Sequence, residues 1–145
     1  MGTRSLTKVI ETWENKKGKK QRRPITCMYR QYDGYLDGHG LELAEWLNQY
    51  TVVNGISSDE TRKIANGIDC LAAQMFAHFK TKAGGIYCMH PDAKDVFEDY
   101  LYEIEEVGKD ILITVYEIGF EDGGTLLLQA TPEELLTKIN EHVED

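Results

Sequence analysis

Apolar and polar positions alternate along several short stretches of the chain, and two of them bracket a basic run. Ser5–Glu14 alternates imperfectly, with Leu6 and Ile10 on one face and Val9 on the other. Ile25–Gln31 places Ile25, Cys27, Tyr29 and Gln31 on one face and Thr26, Met28 and Arg30 on the opposite one. The two stretches flank Asn15–Arg23 and predict an antiparallel hairpin with a polar, solvated tip. Further on, Leu43, Trp46, Leu47 and Tyr50 recur at helical spacing, which predicts a short helix from about Leu41 to Tyr50. Asn54-Gly55 signals a turn, and Ser57 and Glu60 have the spacing of a capping box. Ile64, Ile68, Leu71, Met75 and Phe79 then form an apolar stripe, thickened by Ala72 and Phe76. This is the pattern of a central buried helix, bent or broken at Asn66-Gly67.

The remaining third reads mostly as strands. Ile86–Met89 is a short apolar strand, and Tyr100–Glu105 and Ile111–Ile118 alternate around Gly108 as a second hairpin. Gly123-Gly124 turns into Thr125–Gln129. Thr131-Pro132-Glu133-Glu134 opens a last helix with a capping residue, a proline at the first helical position and acids suited to the helix dipole. Leu135, Leu136 and Ile139 point inward from it. The order predicts one α+β domain over residues 1–145, with a mostly antiparallel sheet of five to six strands packed with three to four helices.

Composition narrows the class. With 41% hydrophobic and 28% charged residues, the chain has the balance of a soluble globular domain rather than a disordered one. No apolar run approaches the roughly 18 residues that span a bilayer, so no membrane partner is expected. The N-terminus lacks the apolar centre of a secretory signal. Together with three cysteines (Cys27, Cys70 and Cys88), which cannot all pair internally, this points to the reducing cytoplasm. The net charge of −9 is uneven: residues 1–90 carry 13 Lys and Arg against 9 Asp and Glu, and residues 91–145 carry 3 against 16. Such an acidic C-terminal half repels polyanions, so a large nucleic-acid footprint is not expected. It leaves room for a small anion on the first half, or for a host protein bound through the acidic half.

The densest chemistry lies in Met28–Gly40, where turn dipeptides Asp33-Gly34 and Asp37-Gly38 alternate with tyrosines, Arg30 and His39. The turns account for the aspartates and glycines and leave Arg30, Tyr35 and His39 without a structural reason. Arg30 suits bidentate recognition of phosphate or carboxylate, and Tyr29, Tyr32 or Tyr35 could stack on a ring. Gly40 lets a ligand approach the backbone where the loop meets a helix start. Arg4, Asn54, Asn66, Gln74 and Lys80 complete a candidate anion site, Arg4 being placed as a neighbour of Arg30 across the first hairpin. Turn geometry is the plainer account of Asn54 and Asn66, and helix-end complementation that of Lys80.

Other chemistries have less support. A hydrolase built on Cys70 with His39, or on Thr3, lacks motif backing, and Cys70 reads better as a core residue. Cys27, Cys88 and His90 lack metal-ligand spacing, so neither metal nor cofactor is expected. Glu103, Glu105 and Glu106 read as an exposed acidic strand face and turn. The hairpin that carries them is apolar on both faces, which suggests a homo-oligomer.

The blocks TRSLT, MYRQYDGYLDGHG–ELAEWL, VNGI, ANGIDCLAAQ–AHFK and GGIY resemble a family of small uncharacterised proteins of phages and bacteria. The resemblance covers Gly2 to about Tyr87. It implies a phage-type cytosolic protein and carries no activity or catalytic residue across. By looser analogy of size and context, small phage proteins of this type include the sponges that sequester cyclic-nucleotide immune signals (the anti-CBASS and anti-Thoeris proteins). The expectation from residues and resemblance together is a protein that binds a small anionic ligand, a nucleotide above all, without turning it over.

Overall fold

The computed structural model describes residues 2–53, 64–108, 110–119 and 124–144. In chain order, β1 (Ser5–Glu14) and β2 (Lys20–Arg30) precede a single π turn, Leu36–Gly40, which runs straight into α1 (Leu41–Leu47). Next come β3 (Thr51–Val53), β4 (Ile64–Asn66), α2 (Gly67–Phe79), β5 (Ile86–Met89), β6 (Tyr100–Val107), β7 (Asp110–Glu117), β8 (Thr125–Ala130) and α3 (Pro132–Glu144). The architecture is α+β: a six-stranded sheet in the order β5-β2-β1-β6-β7-β8, a small parallel pair β3-β4, and three helices. Asn54, the Asn54-Gly55 turn, the Ser57–Glu60 box and Gly123 lie outside the described residues.

Both predicted hairpins are present. β1 pairs antiparallel with β2, and β6 with β7. They join through a parallel β1–β6 pairing at the centre of the sheet, Ser5 opposite Tyr100 and Ile10 opposite Glu105. β6 is therefore an interior strand, hydrogen-bonded to β1 on one edge and to β7 on the other. The tip of the first hairpin is tighter than the basic run, because Asn15 accepts the Lys17 and Lys19 N–H groups through Oδ1 and β2 already starts at Lys20.

Three local expectations are corrected. Ile64–Asn66 is a strand, not a helical turn, so α2 begins at Gly67, whose φ of 81° suits glycine. The first helix stops at Leu47, short of Tyr50. A bulge between Val9 and Ile10 makes Ile25 an extra residue in β2. Ile25 therefore packs with the helix-side core while Cys27 does not, and the two do not share a face.

One face of the sheet carries the helices. Val9, Met28, Tyr102, Ile104, Ile113 and Val115 pack there with Leu43, Trp46 and Leu47 of α1, Leu71 and Met75 of α2, and Leu135 and Ile139 of α3. α3 starts with a reciprocal capping box: the Glu134 N–H donates to Thr131 Oγ1 (3.3 Å) and the Thr131 N–H to Glu134 Oε1 (3.1 Å). Leu6, Ile10 and Cys27 are buried on the other face. There Lys8 and Glu98 lie near the Cys27 thiol, whose pKa burial pushes up to about 11.

Candidate functional site

Arg30 ends β2 on the helix side of the sheet, and the loop after it folds back so that His39 and Gly40 are buried against β1 and β6. The glycines are needed for this packing. A Cβ at Gly34 would lie 2.9 Å from Ser5 backbone, and one at Gly38 would lie 2.5 Å from the Asp33 carbonyl oxygen. A Cβ at Gly40 would lie 3.3 Å from Tyr102, whose hydroxyl donates to the Gly34 carbonyl (2.8 Å). The loop is thus a packed junction whose glycines approach the protein's own strands.

His39 is the centre of that junction. Thr7 Oγ1 lies 2.7 Å from Nε2 and Arg30 Nη1 lies 3.1 Å from Nδ1. A guanidinium only donates, so Nδ1 must accept, and the ring proton sits on Nε2 and points to Thr7. Burial first, and the Arg30 charge second, lower the His39 pKa to about 3. Thr7, His39 and Arg30 have the outline of a hydroxyl nucleophile, a base and an orienting group. The polarity is reversed, because the imidazole donates to the hydroxyl and has no lone pair left to remove its proton. Both ring nitrogens are engaged, which also leaves none for Cys70. That thiol instead accepts from Gln74 Nε2 (3.2 Å).

Arg30 is held on three sides. Its Nε donates to the Tyr32 carbonyl (2.8 Å), Nη1 donates to His39 and to Glu42 Oε2 (2.6 Å), and Nη2 reaches Glu42 Oε1 only at 3.4 Å. The Arg30 side chain is 14% exposed and Glu42 is 52% exposed. The guanidinium is therefore fixed by the fold through Tyr32 and His39, and its other partner is the half-exposed Glu42 carboxylate.

Arg30 lines a groove of about 640 Å³, walled by α1, the end of α2 and the strap before β5. This lies within the range of about 300–1,000 Å³ usual for small-ligand sites. Trp46, His78 and Phe79 form an aromatic cluster in its lining, and its charged residues are Arg30, Lys82, Asp33, Glu42 and Glu45. The strap depends on Gly84 and Gly85, both at φ 76°, and on Lys80, whose Nζ donates to the Gly84 (3.1 Å) and Ile86 (2.7 Å) carbonyls.

The expected site residues are thereby separated. Arg30 lines the groove; His39 and Gly40 support it from the core; Lys80 braces its wall. Tyr35 is exposed, with its hydroxyl donating to Asp33 (3.3 Å), and the Asp33 carboxylate raises its pKa. Tyr29 faces Tyr87 on the opposite side of the sheet. Arg4 adjoins Gly2, Gln31 and Tyr32 in a separate hollow, so the two arginines do not share a wall. Asn66 is exposed before α2. Trp46, one of the apolar positions that predict the first helix, lines the groove together with Glu42 and Glu45 of α1 and Gln49 just beyond it.

The acidic strand is also corrected. Glu103 and Glu105 are only 13% and 14% exposed, and both pair with Arg22 of the basic run (3.3 and 3.7 Å). Among the described residues no group of three His, Cys, Asp or Glu side chains is assembled for a metal. Cys27 is buried and Cys88 exposed, on adjacent register positions of opposite faces. No helix of the described residues is long and apolar enough to cross a membrane. No family model, curated protein or solved structure matches the chain.

Proposed function

We propose that this domain binds a small anionic ligand with a planar ring, a nucleotide being the class that suits it best, and holds it without turnover. The anionic group sits on the outer edge of Arg30, in the place of the Glu42 carboxylate. The observation that carries this reading is the state of Arg30: a guanidinium held by Tyr32 and His39 at the groove, whose remaining partner is the half-exposed Glu42 carboxylate. Preorganisation of this kind lowers the ordering cost of binding. The groove's two cations against three carboxylates suit a ligand with few negative charges. Sequestration rather than catalysis fits a histidine that donates to Thr7 and cannot act as its base.

The test is a thermal-shift screen against 5′-mononucleotides, cyclic di- and trinucleotides and ADP-ribose derivatives. The complex is then denatured and the released ligand run on a column. A shift with the ligand recovered unchanged is expected. Recovery of an altered ligand overturns the sequestering reading, and no shift with any compound overturns the nucleotide reading.

A further inference from the structure

The aromatic side of the groove holds a polar group that the fold leaves unused. Trp46 is 2% exposed, and its indole Nε1–H is a buried donor without a hydrogen-bond partner among the described residues. Buried donors are nearly always paired in native proteins, so an orphan in a groove wall asks for an acceptor from elsewhere. The indole itself is firmly packed, with Tyr50 at 5.3 Å and the edge of Phe79 at 5.7 Å between ring centroids. Its remaining neighbour is of a different kind. His78 lies stacked on Trp46 at 5.4 Å and 16°, is exposed, and makes no hydrogen bond or ion pair among the described residues.

We infer that Trp46 is a stacking subsite for a planar ring, that His78 is the side chain the ring displaces, and that the ligand carries, outside that ring, an acceptor for the indole N–H. The inference rests on the groove being the ligand site proposed above and specifies the uncharged end of that ligand. A nucleotide meets the requirement, since every base has a π face and the attached sugar supplies hydroxyl acceptors, and stacking on tryptophan discriminates little among bases. Displacing His78 costs one ring contact on Trp46 and another on Phe79, and no hydrogen bond. The incoming ring restores the stack, and an acceptor elsewhere on the same ligand, in the plane of the indole, meets the N–H. Arg30 and Trp46 line the same groove, so anion and ring are recognised on one molecule.

Trp46 cannot be removed without opening the core, so the test leaves it in place. The protein has two tryptophans, and Trp13→Phe leaves Trp46 as the single emitter. This variant is titrated with AMP, GMP, CMP, UMP and ribose 5-phosphate, following both heat and Trp46 emission. Expected are quenching of Trp46 by the mononucleotides and an affinity at least about fivefold above that for ribose 5-phosphate. His78→Ala added to this background should tighten the mononucleotides and leave ribose 5-phosphate unchanged. Equal affinity with and without the base, or bound mononucleotide with unchanged Trp46 emission, overturns the stacking subsite and leaves the Arg30 site standing. Weakening of all five ligands alike by His78→Ala makes His78 a structural residue and overturns its displacement. No heat with any of the five overturns the groove as the ligand site.

Discussion

His39 links the fold to the site through a single proton. Its neutral form is fixed by burial and by the Arg30 guanidinium at Nδ1, and the same contact holds that guanidinium in place beside the groove. The consequence for stability has a definite sign. A folded-state pKa near 3 lies below the usual 6.5, so between these values the unfolded chain binds a proton that the folded protein excludes. Stability is full above about pH 6.5 and falls as pH drops toward 3, with a slope from this group approaching about 1.4 kcal/mol per pH unit. Nitrogen-15 NMR should find the His39 ring neutral, with the proton on Nε2, down to about pH 4.5. A ring that titrates near its ordinary value would contradict both the burial and the tautomer. From sequence, His39 stood out because no turn rule accounted for it. What could not be read was that its partners, Thr7 and Arg30, would close around it from β1 and β2.

The elements were legible where their period repeats often enough. Alternation over six to ten residues marked both hairpins, and Thr131-Pro132 marked the start of α3. The strands β3 and β4, three residues each, are too short to display a period. The parallel β1–β6 contact joins segments some 95 residues apart, as Arg4 and Asp99 show beside it, and no local pattern encodes it. The glycine-rich loop was legible as unusual and misread in purpose: the glycines admit neighbouring backbone and Tyr102. Gly38→Ala tests this directly, since its Cβ would lie 2.5 Å from the Asp33 carbonyl and 2.8 Å from the Tyr35 ring. The variant should lose about 1–3 kcal/mol in denaturant unfolding. An unchanged midpoint would show that the loop has room to spare.

Over the whole molecule, the sequence's charge asymmetry is partly answered from within. Arg22, from the basic run, meets Glu103 and Glu105 on the acidic half, which removes two carboxylates from the surface that a basic partner could contact. What remains distinctive is a groove beside the helical layer, with an arginine anchored from behind and a tryptophan carrying an orphan N–H. Arg30 was marked by the sequence as a candidate for binding an anion. Glu42, as its counterpart, was not, because a surface carboxylate near the start of a short helix has an ordinary explanation in the helix dipole. Their relation is the core of the proposal: Glu42 holds the place of the ligand's anion. The most direct measurement is calorimetric titration of the wild type and of Glu42→Gln with the four 5′-mononucleotides. Removing the competing carboxylate while keeping its shape should tighten binding, by about fivefold or more given the strength of charge-assisted arginine pairs. Equal or weaker binding by Glu42→Gln would contradict the assignment of Arg30 as the anion anchor.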